Sequence, residues 1–230
     1  MACRSNTKEK LLANPHIWKQ GSVRTGRTAP LASGFNELDA WLDGGWPGAA
    51  ITELLLTGEG IGELRLVLPA LQKLQQVSAS YSNTGARGQV RQVQARQVRV
   101  PGQQQLCWVN PPYIPYAPAL ARHGLDLSQL LVVQPESAVD ALWAMDQALR
   151  SRACAAVLGW FDRINRPSIR RLQVIAESSA CPGFVFRHAR FARHDSAAPL
   201  RIHLTATNTG WQLDILRNRY GRTGRLRLSC

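Results

Sequence analysis

The sequence predicts an α/β fold: a mainly parallel β-sheet flanked by helices, with a C-terminal antiparallel β-hairpin. Three observations predict it. Short apolar runs of strand length (Ile51–Leu56, Leu106–Val109, Leu130–Val133, Ala155–Gly159, Gly183–Phe186) alternate with stretches of helical spacing, which gives parallel strands covered on both faces. The stretch ITELLLTGEGIGELRL, from Ile51 to Leu66, has the shape of a strand, a glycine-rich loop and a helix start, as in nucleotide-binding cores. Finally, Leu200–Ala206 and Trp211–Leu216 flank a TNTG turn and read as a hairpin.

In chain order, residues 1–25 are polar and basic and read as a flexible arm, and 26–216 as the folded domain. In SGFNELDAWL, Phe35, Leu38 and Leu42 recur at helical spacing with Ser33 as the expected cap. GGWPG (Gly44–Gly48) ends that helix and leads into the first strand. Past the glycine loop, Leu64, Val67, Leu68, Leu71 and Leu74 mark one face of a helix, in which Pro69 is awkward beyond the first turn. Residues 78–105 are biased toward Ser, Gln, Val and Arg and read as an exposed, mobile low-complexity insertion, with a short basic hairpin as the lesser alternative.

Further on, Ala117–His123 is a short helix. Ser137, with Asp140 three residues later, caps a helix running to Arg150 whose apolar face is Val139, Leu142, Trp143, Ala148 and Leu149. Pro167 opens another, to about Ser179, with Ile169, Leu172 and Ile175 inward. Residues 217–230 read as a basic tail.

Composition narrows the function classes. The chain of 230 residues carries 28 Lys and Arg against 15 Asp and Glu, a net charge of +13. Such a surplus suits nucleic acid, a nucleoprotein complex or an acidic protein surface, or is simply a basic exterior. Cys3, Cys107, Cys154, Cys181 and Cys230 are scattered without C-x-x-C spacing, which argues against a zinc site or disulfide framework and for a reducing cytoplasm. No apolar run has the roughly 20 residues that span a bilayer, and no secretory signal is apparent, so no membrane partner is expected.

The loop Gly58, Gly60, Gly62 has the architecture of a phosphate cradle, but Glu63 and Leu64 follow where Lys and Ser or Thr would neutralise phosphate and hold magnesium. A carboxylate there repels each phosphate charge by about 4 kcal/mol at ~4 Å and an effective dielectric of 20. No Asp or Glu occurs from Leu64 to Leu125, and the strand end Leu158-Gly159-Trp160 lacks the metal-holding aspartate; Asp162 comes two residues late. His123, His188, His194 and His203 have no recognisable nucleophile beside them, and His203 reads as a structural mid-strand residue. The expectation is a protein that is not an enzyme, with no catalytic residues, cofactor or metal.

At these residues the chain resembles a RecA-type core: Ser33-Gly34-Phe35, Leu38-Asp39, Gly44-Gly45, Ile51-Thr52-Glu53 and the glycine loop follow in RecA order. On that resemblance the Walker lysine becomes Glu63, the following hydroxyl Leu64, the catalytic glutamate Pro112 and the Walker B aspartate Trp160. Glu53–Leu71, Cys107–Ser137, Asp140–Trp160 and Gly183–Arg187 resemble the ImuA family of translesion-synthesis accessory proteins and the related SulA division inhibitors. The resemblance runs over roughly Ile17–Leu216, broken by the insertion, and the N-terminal module IWKQGSVRTGRTAPLASGFNELDAWLDGGWP favours ImuA. It implies a RecA-like, non-catalytic adaptor in the SOS response, working with error-prone polymerase components: a Y-family-like protein and a replicative-type polymerase. RecA or DNA are further partners and the nucleoid a further location. The alternative it implies is a SulA-like inhibitor binding FtsZ.

Two surfaces are candidates for binding. Arg217, Arg219, Arg222, Arg225 and Arg227, with Tyr220 among them, suit phosphate contact and base stacking, or are a solvated tail. Tyr113, Pro115 and Tyr116 lie on a stiff loop that is either a partner surface or ordinary turn packing.

Overall fold

The computed structural model describes residues 28–82 and 105–229, the side chains of 77–82 excepted. The expected N-terminal arm and residues 83–104 of the insertion lie outside the described residues. In order come α1 (Asn36–Trp41), β1 (Ile51–Leu56), α2 (Glu63–Ser82), β2 (Gln105–Val109), α3 (Ala117–Arg122), β3 (Leu130–Val133), α4 (Ala138–Arg150), β4 (Cys154–Trp160), α5 (Arg166–Ser179), β5 (Gly183–His188), β6 (Leu200–Thr207), β7 (Gly210–Asn218) and β8 (Gly224–Ser229). The strands form one eight-stranded sheet in the order β3-β2-β4-β5-β1-β6-β7-β8. It is parallel from β3 through β6 and antiparallel across β6, β7 and β8. This is the α/β class that the alternating pattern predicts.

The sheet separates two apolar layers. One joins α1, α2 and α3 through Leu38, Leu42, Leu66, Leu71 and Leu120 to Leu54, Trp108, Phe184 and Phe186. The other joins α4 and α5 through Met145, Leu149, Ile169 and Leu172 to Ile51, Cys107, Val157 and Val185. Every residue of β1 is buried, as befits a central strand covered on both faces. No described helix is long and apolar enough to cross a membrane.

Several expectations need correcting. Ser33 does not cap α1: its N–H donates to the Asp39 carboxylate at 2.8 Å and its Oγ accepts from the Phe35 N–H, a turn that precedes the helix. The turn after α1 brings Gly45, at φ +123°, so near Leu31 that a Cβ would lie 2.2 Å from its carbonyl oxygen. That closeness lets Leu31 and Trp46 exchange backbone hydrogen bonds at 2.7 Å.

The helix after the glycine loop continues to Ser82, so the first residues assigned to the insertion are helical. Pro69 lies well inside it, and its ring packs against Gly34, where a Cβ would approach Pro69 Cβ to 2.6 Å. Leu64 is only half-buried, while Leu66 and Ala70 complete the inner face.

Ser137 does cap α4, accepting from the Asp140 N–H at 3.1 Å. The expected apolar face of α4 holds at Leu149, and in part at Leu142 and Ala148, but fails at Val139 and Trp143. Ala141, Met145, Asp146 and Leu149 are buried, whereas Val139 and Trp143 are 76% and 61% exposed. The reason is clearance: Cβ atoms added at Gly159 and Gly183 would lie 2.8 Å and 3.4 Å from Met145, so the helix sits close on glycines of β4 and β5. Only narrow or flexible side chains fit there. The segment expected as a tail is ordered too: Arg217 ends within β7, and Gly224–Ser229 pairs antiparallel along β7 as the outermost strand.

Candidate functional site: a phosphate cradle without its cation

The loop Thr57–Gly62 leaves the buried end of β1 and enters α2 at Glu63, the first helical residue. Gly60 and Gly62 take φ +70° and +88°, the left-handed region that side chains avoid. A Cβ on Gly62 would also meet the Trp211 ring at 3.0 Å. Trp211, on β7, holds the loop in place: its Nε1 donates to the Ile61 carbonyl at 2.9 Å. Arg65 stacks over the indole at 5.6 Å and Phe35 meets it edge-on at 6.0 Å. The cradle is therefore fastened from a strand far along the chain.

Glu63 is 6% exposed and its Oε2 has no hydrogen-bond partner. A carboxylate at a helix N-terminus is electrostatically favourable, because the macrodipole and the free N–H groups attract negative charge. The same attraction would otherwise serve a bound phosphate. Glu63 thus puts a fixed anion where the cradle would take a mobile one, and half-buried Leu64 packs on the larger apolar layer with no hydroxyl to offer.

Beside the loop, at the carboxyl ends of β1, β2, β4 and β5, lies an open cavity of about 450 Å³ lined in part by Glu59, Pro112, Trp160, Asp162 and Arg190. Such strand ends are where ligands bind in α/β sheets. Trp160, which ends β4, is buried and stacks on Phe186 with centroids 4.7 Å apart and planes at 13°. Asp162 is paired with Arg190 instead of reaching a metal position. Among the described residues no group of three His, Cys, Asp or Glu side chains is arranged to hold a metal. Glu59 lies beside Tyr113 and raises the Tyr113 pKa above 10.0, first by hydrogen bonding and then by its charge. One candidate partner residue is thereby tied to the cradle, while Tyr116 is exposed at the start of α3 and Pro115 is half-buried.

The six candidate nucleic-acid residues do not form one cluster. Arg219, Tyr220 and Arg222 lie in the turn between β7 and β8, which docks on α1 through the Arg222 N–H and the Trp41 carbonyl at 3.0 Å. Arg225 and Arg227 project from β8 opposite Asp214 and Gln212. Arg225 is paired with Asp214 at 2.5 Å, and Arg217 donates to the Ser196 carbonyl and lies 4.0 Å from Asp195. Among the described residues no carboxylate pairs with Arg219, Arg222 or Arg227. For Asp214, burial pushes the pKa up, but the Arg225 hydrogen bond and charge, with Gln212 and His203, bring it below 3.8.

Sequence reasoning missed a buried ion triad under the site. Glu53 of β1 is fully buried and accepts from Arg187 of β5 and Arg201 of β6, each at 2.5 Å. Arg187 also donates to the Ile164 carbonyl at 3.1 Å and stacks on Phe191 at 4.5 Å, and Arg201 reaches the Phe191 carbonyl at 3.2 Å. The available signal was a glutamate inside an otherwise apolar strand, ITELLL, because a charge there needs a buried partner.

No family model matches the chain. A curated relative, the cell division inhibitor SulA of Photorhabdus laumondii subsp. laumondii, is 29% identical over 99 residues, which are 43% of this chain and 56% of that protein. The match thus takes in little more than half of that relative's length. The crystal structure of SulA from Pseudomonas aeruginosa superposes with a TM-score of 0.43 and 21% identity, covering 61% of this chain and 98% of that one. The chain is homologous to SulA, a cell division inhibitor, over the segment that the two sequences share.

Proposed function

We propose that this chain is a non-catalytic, RecA-like adaptor of the SOS response, supporting error-prone translesion synthesis beside a Y-family-like protein and a replicative-type polymerase. The observation that carries this reading is Glu63. A buried carboxylate at the mouth of the cradle leaves the architecture of a nucleotide site without its affinity for phosphate. Trp160 in place of a metal carboxylate, and Asp162 held by Arg190, agree with it. Arg219, Arg222 and Arg227 supply cations for sequence-tolerant, salt-dependent contact with DNA. Purified protein is expected to hydrolyse no ATP with magnesium, with or without single-stranded DNA, and its deletion to lower damage-induced mutation to the uninduced level. Turnover that disappears in Glu63→Gln would sink this reading.

The similarity to SulA favours a second reading: a division inhibitor acting on FtsZ. That match leaves more than half of this chain outside it. An inhibitor would arrest FtsZ polymerisation at equimolar ratio and filament cells on overproduction. Unchanged polymerisation together with lost mutagenesis favours the adaptor, and the opposite pair of results the inhibitor.

A further inference from the structure

The two ends of the sheet differ in chemistry. At one end β8 guards its edge with Arg225 and Arg227. At the other, β3 (LLVV) has no charge, proline or glycine, and Leu131 and Val132 are exposed. An open edge strand presents unpaired N–H and C=O groups, and proteins normally blunt it with charge, proline or a covering element. Among the described residues β3 has none of these.

An apolar groove of about 230 Å³ runs beside β3, lined by Ile114, Leu120, Leu127, Leu130 and Val132. Ile114 at its mouth is 90% exposed. The surrounding charge is opposite to that of the whole chain. Residues 105–149 hold Asp126, Glu136, Asp140 and Asp146 against a single cation besides histidine, Arg122, in a chain of net charge +13. Asp146 is buried and bound by Arg150 and Arg171, so the exposed acids near the groove are Asp126, just before Leu127, and Glu136, two residues beyond groove-lining Gln134.

We propose that the β3 edge and its groove dock an extended segment of a partner protein, with an apolar side chain for the groove and flanking lysine or arginine for the acidic rim. The open edge takes the segment's backbone, as in strand addition. Nucleic acid is disfavoured at this end, because acids outnumber cations within the described segment 105–149, which supplies the groove. The proposal rests on the partner-binding reading above and names where one partner sits.

The test uses the full chain and a fluorescein-labelled dodecapeptide alternating lysine with leucine and phenylalanine, with a glutamate-for-lysine counterpart, read by anisotropy. The lysine peptide is expected to bind with salt-dependent affinity and the glutamate peptide not to bind. Ile114→Asp, at a site that contributes almost no burial, is expected to weaken binding at least about tenfold, and Glu136→Lys to weaken it and flatten its salt dependence. Circular dichroism confirms that both variants fold. Equal binding of both peptides, or binding unchanged by Ile114→Asp, overturns the proposal. So does self-association in sedimentation that Ile114→Asp abolishes, which would assign the groove to a second copy. A failed docking test with mutagenesis intact refutes this surface alone; lost peptide binding in variants plays no part in the ATP assay that tests the adaptor.

Discussion

Replacing Glu53 with glutamine removes the charge that balances two buried arginines while keeping the side chain's shape. In the native protein that carboxylate is wholly shielded from water and receives Arg187 and Arg201 at 2.5 Å each. Removing one partner of a buried ion pair costs about 3–5 kcal/mol, because the remaining charge stays desolvated. Here the carbonyls of Ile164, Phe191 and Ala192 continue to accept from the guanidinium groups, so the loss belongs near the lower bound, about 3 kcal/mol. For a domain of this size each kcal/mol moves Tm by roughly 2–4 °C, giving a fall of roughly 6–12 °C. Calorimetry and urea denaturation measure it. The triple variant Glu53→Leu, Arg187→Met, Arg201→Leu is expected to recover most of the loss, since apolar replacement of a whole buried ion set is often neutral. A Glu53→Gln protein within about 1 kcal/mol of the parent would refute the reasoning.

Other outcomes follow from the same structure. Trp211→Phe deletes the hydrogen bond to the Ile61 carbonyl and should cost about 1 kcal/mol in urea denaturation, while Trp211→Ala, which also opens a cavity, should cost about 3–5 kcal/mol; equal losses would contradict the anchoring role. Ala180 ends α5 at φ +54°, so Ala180→Gly should raise stability by about 1 kcal/mol, and no gain would argue against that strain. Because the folded pKa of Asp214 lies below 3.8, its stabilising contribution is complete above the unfolded pKa and disappears as pH falls through the folded one. Carboxyl NMR should show that low midpoint, and Arg225→Gln should move it upward.

The elements were legible where one pattern dominated. The runs of β1, β4 and β5 are apolar apart from Thr52 and Glu53 in β1 and Arg187 and His188 in β5, and α5 shows its inner face plainly because Ile169, Leu172 and Ile175 are large and regularly spaced. The place of Glu63 was equally plain, since it directly follows the glycine loop and opens the next helix. Size misled the reading of α4: Trp143 and Val139 outweigh Ala141 in any hydrophobic count, yet it is Ala141, Met145 and Leu149 that are buried, Met145 and Leu149 lying against glycines of the sheet. Charge hid β8. Arg225-Leu226-Arg227-Leu228 alternates with the two-residue period of a strand, and Leu228 is buried, but the density of arginine suggested a solvated tail. The triad was invisible because both of its arginines lie more than a hundred residues from Glu53, a pairing that only topology creates.

That separation bears on how the protein is made. β1 is synthesised before the other described strands, but its flanking strands β5 and β6 come 134 and 148 residues later by the hydrogen bonds to Glu53, and the indole that fastens the glycine loop comes 150 residues after Ile61. Until they emerge, the nascent chain exposes an acid inside an apolar strand and an unfastened loop, a topology that closes slowly. Chains cut short before β6 would therefore carry the parallel part of the sheet with β1 unpaired on one side, a natural target for chaperones and proteases.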